Sequence, residues 1–205
     1  MAKVWVFVED AESGPSTLGL ELLTKARSLG DPAVVLVGAG SADTIGVLGS
    51  HGAGRVYHLD PGVSLPAAPA AAALADLISR ERPDIFMFGQ AYTDRDVAGR
   101  LGARLGKTVL SNAVDVTIGD QVTTTHEILG GSKIATAVFT GEAPFMVVVR
   151  PKSFTAEPGN PRTPEVEKIA LPAGGRAEAT IVSSHAEDRQ GPKLEEAAVI
   201  VSGGR

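Results

Sequence analysis

Four short apolar runs, Val4–Val8, Ala33–Val37, Val56–Leu59 and Ile85–Phe88, are each separated from the next by a stretch with helical spacing. No other feature restricts the fold so strongly. Continuous apolar runs of strand length are buried on both faces, and a helix between successive strands makes them parallel. Right-handed crossovers then give a doubly wound α/β sheet. The helical stretches carry their own start and stop signals. Ser16 is placed to cap the first helix, along which Leu18, Leu22, Ala26 and Leu29 recur. Gly30 suits a left-handed residue after it, and Pro32 blocks continuation. A short helix over Ala42–Leu48 leads to the Gly52-Ala53-Gly54 turn, and an alanine-rich helix runs from Ala67 to Arg80. Asp94 is placed to cap the next helix, with Val97, Leu101 and Leu105 inside and Gly106 at its end.

After Gly106 the rhythm changes. Val114–Ile118 and Val122–Thr125 flank Gly119-Asp120 and read as a hairpin. Lys133–Phe139 and Phe145–Val149 flank "TGEAP" and read as another, so the sheet is expected to be extended by antiparallel strands. The proline-rich segment 157–165 reads as an ordered crossing, and Val166–Leu171 and Thr180–Ser183 as two more short strands. Residues 183 to 195 are polar and tether-like, and Val199–Val201 is a final strand run that climbs to Gly203, Gly204 and Arg205.

Composition excludes several classes of function. The chain has no cysteine, which removes disulfides, thiol catalysis and Cys-ligated metal centres. A net charge of −5 with mixed signs offers no basic face for nucleic acid. No apolar run approaches the ~20 residues of a membrane-spanning helix, so membrane insertion is not expected. The N-terminus enters a strand without a signal-peptide pattern, which makes the cytoplasm the expected compartment. With aromatics at 4%, the core is expected to be aliphatic and alanine-rich.

The candidate motifs have structural explanations. "GAGSAD" at 38–43 begins like a dinucleotide fingerprint, but Asp43 stands at the third glycine and the segment follows the second strand. "LGKT" at 105–108 resembles the end of a phosphate loop, yet Leu101 replaces its first glycine. Glu9 and Asp10 end the first strand, where they would repel a nucleotide phosphate. His51, His58, His126 and His185 have no metal-ligand spacing, and no nucleophile elbow occurs. Asp94 and Asp96 suit a helix start better than an acid–base pair. Arg95, Arg100 and Arg104 form a stripe read first as a solvated face, with an acidic partner surface as the alternative. No self-contained catalytic site is assembled, and a hydrolase on this scaffold has no residue to carry it.

In combination these segments resemble one family, the alpha subunit of electron-transfer flavoprotein. "VWVFVED" with "LELLTKARSLG" is similar to its opening. "DIFMFGQAYTDRDVAGRLGARLG" resembles its fourth strand and the following helix. "GGSKIATAVFTGEAPFMVVVRPKSF" resembles its paired strands, and "LEEAAVIVSGGR" resembles the entry to its flavin domain. The resemblance implies an N-terminal domain related to adenine-nucleotide-binding domains over 1–183. Residues 184–205 would be the tether and first strand of a truncated FAD-binding domain. It also implies that Gly203, Gly204 and Arg205 contact FAD, with most of that site lying beyond residue 205, and that a beta subunit is the partner. The complex would be an electron carrier rather than an enzyme, shuttling electrons from acyl-CoA dehydrogenase-type flavoenzymes to a quinone reductase, as in fatty acid oxidation. Val199–Val201, a strand without its sheet, would be frayed or paired with another edge, and disorder or stray packing is expected from about Ser184 onward. The competing reading is a standalone adenine-nucleotide-binding module of the same superfold, using the crevice near Glu9, Gly38 and Gly89.

Overall fold

A computed structural model describes residues 1–11, 14–62, 65–172, 181–183, 197 and 199–204. Its strands are β1 (Ala2–Ala11), β2 (Gly14–Pro15), β3 (Gly30–Val37), β4 (Arg55–Leu59), β5 (Ile85–Phe88), β6 (Val109–Ala113), β7 (Asp115–Ile118), β8 (Val122–Ile128), β9 (Lys133–Val138), β10 (Phe145–Val149) and β11 (Glu165–Lys168). Its helices are α1 (Thr17–Leu29), α2 (Ala42–Ser50), α3 (Ala67–Glu81) and α4 (Tyr92–Leu105). Seven strands pair in parallel in the order β11-β4-β3-β1-β5-β10-β6, and the short β2 pairs antiparallel with β1. The chain steps outward from β1 to β3 and β4, then returns through α3 to β5 on the other side of β1. That reversal puts α1 and α2 on one face and α3 and α4 on the other.

Alternate residues of each strand enter different layers. Val4, Val6 and Val8 of β1 and Val34 and Leu36 of β3 meet Leu22, Leu23 and Ala26 of α1. On the opposite face Trp5, Phe7, Tyr57, Phe86 and Phe88 form a chain of ring contacts 4.1–5.6 Å between centroids. Their neighbour is α3, which buries Ala67, Ala70, Ala71 and Ala73. A helix face of methyl groups leaves volume that only large sheet residues fill at native density. The core is therefore alanine-rich as expected, but its aromatic residues are concentrated in one layer rather than scarce throughout.

The predicted α/β class with a mostly parallel sheet holds, and the structure corrects the pairing of its second half. The hairpin at β7 and β8 forms, with Ile118 opposite Val122. Lys133–Phe139 and Phe145–Val149 do not pair with each other. β9 joins β8, while β10 runs parallel between β5 and β6. The reason lies in the side chains: Met146–Val149 is wholly buried and fits the interior of a two-faced sheet, whereas β9 is half exposed. The antiparallel strands thus form a separate three-stranded sheet, tied to α1 by a Lys25–Asp115 ion pair of 2.7 Å, instead of lengthening the main one. β6 has no counterpart among the predicted strands, and β11, Glu165–Lys168, covers only the first half of the run expected at Val166–Leu171. Gly30 is extended, with φ 176°, not left-handed; a side chain there would collide with the carbonyl of Ala2 on the neighbouring strand.

The proline-rich segment is an ordered crossing. It runs from β10 over the α1 and α2 side to reach β11 at the far edge. Gly159 N–H donates to Ser50 O and Arg162 N–H to Gly49 O, each at 3.0 Å. The Arg27 guanidinium donates to Glu157 O and to His51 O, each at 2.9 Å. Of the C-terminal readings, Thr180 and most of 184–205 lie outside the described residues. Val199, Ile200 and Val201 are exposed and pair with no strand among the described residues.

Candidate functional site

In a doubly wound sheet, ligands bind beyond the carboxyl ends of the strands where the order reverses, here between β1 and β5. Glu9 and Asp10 lie close to the carboxyl end of β1, Gly38–Ser41 follow β3, and Gly89–Thr93 lead from β5 into α4. The two sides of this crevice are built differently.

On the β3 side the glycine loop is full. Asp10 Oδ2 accepts the Gly40 N–H at 2.6 Å, and Asp10 Oδ1 accepts the Thr44 hydroxyl at 2.7 Å. Ser41 caps α2 by accepting the Thr44 N–H at 3.0 Å. Buried His58 places Nε2 2.9 Å from Gly38 O, and its ring fills the space where a Gly40 side chain would stand. Gly40 has φ +67° and Gly38 φ +137°, so the turn needs glycine for conformation as well as for room. A resident carboxylate therefore takes the donors that a phosphate would use. This loop does not fit a dinucleotide diphosphate. The sequence showed that Asp10 opposes a phosphate; it did not show that Asp10 reaches across to α2, because the contact spans thirty residues and depends on β1–β3 pairing.

On the β5 side Asp94 is not the expected cap. The N-cap is Ala91, which has no side-chain hydrogen bond to give. Asp94 sits within the first turn of α4, 5% exposed, and its Oδ2 accepts the Gly89 N–H at 2.7 Å. Burial first, and the nearby Glu9 charge second, push its pKa up to about 7, against the Gly89 hydrogen bond. A side chain at Gly89 would strike both Leu18 and Asp94. Between Glu9, the start of α1 and the start of α4 lies a cleft of about 800 Å³.

The other candidates are structural. His51 closes α2, its Nδ1 2.9 Å from Val47 O, and His126 Nε2 lies 2.7 Å from Thr124 Oγ1. His185 is outside the described residues. Among the described residues no group of acidic and histidine side chains is arranged to hold a metal ion. No helix among them is long and apolar enough to cross a membrane. In the arginine stripe, Arg100 pairs with Asp96 at 2.7 Å and Arg95 lies over the Tyr92 ring at 5.3 Å. Gly203 and Gly204 are exposed, with no described residue against them, and Arg205 lies outside the described residues.

Comparison with known proteins agrees with this architecture. A family model described as the electron transfer flavoprotein domain matches residues 4–174. The chain is similar to the electron transfer flavoprotein subunit alpha of Mycobacterium leprae, 32% identical over 210 residues that cover 100% of this chain and 65% of the relative. It is similar to the subunit alpha of Mycobacterium tuberculosis at 34% over 162 residues, 77% of this chain and 50% of the relative. The subunit alpha of Clostridium acetobutylicum is 29% identical over 218 residues, 98% of this chain and 64% of the relative. The chain thus spans between half and two thirds of the length of these relatives. With the family domain matched over most of its length and alpha subunits as its relatives, the chain belongs to the electron transfer flavoprotein family.

Proposed function

We propose that the chain is the scaffold part of an electron transfer flavoprotein alpha subunit. It would assemble with a beta subunit into an FAD-containing heterodimer that carries electrons from acyl-CoA dehydrogenase-type flavoenzymes to a quinone reductase in the cytoplasm. It serves as a carrier subunit and not as an enzyme. The observation that carries this reading is the Asp10 carboxylate inside the glycine loop. The family's domain is present, but its nucleotide-type loop is satisfied internally, which suits a scaffold.

FAD has no place at that loop. The residues offered to it are Gly203, Gly204 and Arg205. The two glycines are exposed, and a backbone without side chains allows close approach. An arginine after them would supply charge-assisted hydrogen bonds to the cofactor. FAD supplies the redox chemistry when bound, and these residues would only bind and orient it.

Co-expression with a beta-type subunit tests the assignment. A two-chain size-exclusion peak with a flavin spectrum means that Gly203–Arg205 serve a usable site. A colourless two-chain peak makes this part an assembly scaffold and removes the cofactor role of those residues. Absence of any two-chain peak removes the subunit reading. The second reading, a standalone adenine-nucleotide-binding module, is favoured only by the position of the crevice. Saturable binding of AMP or ATP to the isolated chain would establish it.

A further inference from the structure

The cleft beside Glu9 is unlike the plugged loop next to it. Its volume of about 800 Å³ lies within the ~300–1,000 Å³ typical of small-molecule sites. Leu18, Ala91, Tyr92 and Pro151 give it apolar walls. The Glu9 carboxylate, at the end of β1, accepts no hydrogen bond and meets no cation among the described residues. Its sequence neighbour Asp10 is bonded through both oxygens. Glu21, also in the lining, is buried and accepts the Lys152 N–H at 3.0 Å. Among the described residues Lys152 is the single cationic side chain of the lining, against the carboxylates of Glu9 and Glu21. Asp94 lies behind, near enough for the Glu9 charge to act on it.

A carboxylate held in an apolar cleft attracts a cation more strongly than one in open water, and it repels phosphate or carboxylate. An amidinium or guanidinium matches it best, because two parallel N–H groups meet two oxygens. At the mouth, the Tyr92 ring is 87% exposed and already takes the Arg95 guanidinium at 5.3 Å, so its electrostatics suit such groups.

We propose that this cleft binds an organic cation, a guanidinium, amidinium or primary ammonium on a flat apolar body, with Glu9 receiving its N–H groups. The proposal stands apart from the flavin reading. The chemistry has two sources, a free small amine or an arginine side chain of a protein segment.

The test is a titration of the isotope-labelled chain with benzamidine and with benzamide, its neutral counterpart of the same shape. Benzamidine is expected to saturate at roughly millimolar concentration or below, shifting the amides of Leu18, Gln90 and Tyr92. Benzamide is expected to bind about tenfold more weakly or worse. Glu9→Gln erases the difference between the two. Ala91→Leu narrows the cleft without changing its charge and weakens both, which keeps the test decisive if the first variant folds poorly. Displacement of benzamidine by the peptide Gly-Arg-Gly at similar concentration assigns the site to a protein side chain, and failure to displace assigns it to a free amine. Equal binding of benzamidine and benzamide, or no saturable shift at those amides, overturns the proposal.

Discussion

Asp94 shows how one residue can work against the fold at ordinary pH. Its carboxyl is buried and its pKa is pushed up to about 7, whereas an unfolded aspartate titrates at about 3.9. Between those values the folded chain holds a proton that the unfolded chain has released. Stability from this group is complete below about pH 4 and is lost as pH rises through 7. Asp94→Asn keeps an acceptor for the Gly89 N–H and removes the charge. It is expected to flatten the pH dependence between 5 and 8, and to be the more stable protein at pH 8. Each pKa unit corresponds to about 1.4 kcal/mol, so the gain is on the order of a few kcal/mol. Urea midpoints at both pH values check this, and parallel profiles for the two proteins would refute it. Gly40→Ala is the converse case. It forces φ +67° on alanine and drives a methyl group into the His58 ring, so a loss of about 1–3 kcal/mol is expected in the same assay.

At the scale of elements, the legibility of the sequence divides where local pattern stops being enough. β1, β3, β4 and β5 and all four helices follow from runs and spacing, because each period belongs to its own element. Ser16 caps α1 as expected, with its Oγ 3.2 Å from Gly19 N. The second half is harder. "TGEAP" looks like a hairpin turn, but a turn does not say which strand lies opposite, and the wholly apolar Met146–Val149 run was the better guide. β6 leaves no apolar run in the sequence, because two of the five residues of "VLSNA" are polar and the strand sits at an edge. The crevice was legible in its repulsion of phosphate and illegible in its contacts, which join residues far apart in the chain. The crossing segment offers a test at this scale. Arg27→Ala would leave the His51 carbonyl without its donor and the Glu157 carbonyl with only the Thr24 hydroxyl at 3.4 Å, at a cost of about 1–3 kcal/mol. Hydrogen exchange at Gly159 and Arg162 is expected to accelerate while that of α3 stays unchanged. Equal acceleration in α3 would mean that the segment is not a separately anchored strap.

For the whole molecule, the two cores lie on opposite faces of one sheet and share its central strands. Neither layer can be lost without stripping a face of β1, β3 and β5, so unfolding is expected to be one cooperative event. The chain has a single tryptophan, Trp5, in the aromatic layer, so its fluorescence reports on that layer alone. Far-ultraviolet circular dichroism reports on all the helices. The two melting curves are expected to superimpose, and an earlier fluorescence transition would show that the aromatic layer loosens independently.

Asp10 has a further consequence for how such a domain lives in a cell. A fold whose loop is completed by a diffusible nucleotide gains stability with the concentration of that nucleotide and loses it under starvation. Here the counterpart of the ligand is encoded in the chain and present at unit stoichiometry from the moment of synthesis. The maturation of this loop is thereby insulated from the metabolic state of its surroundings.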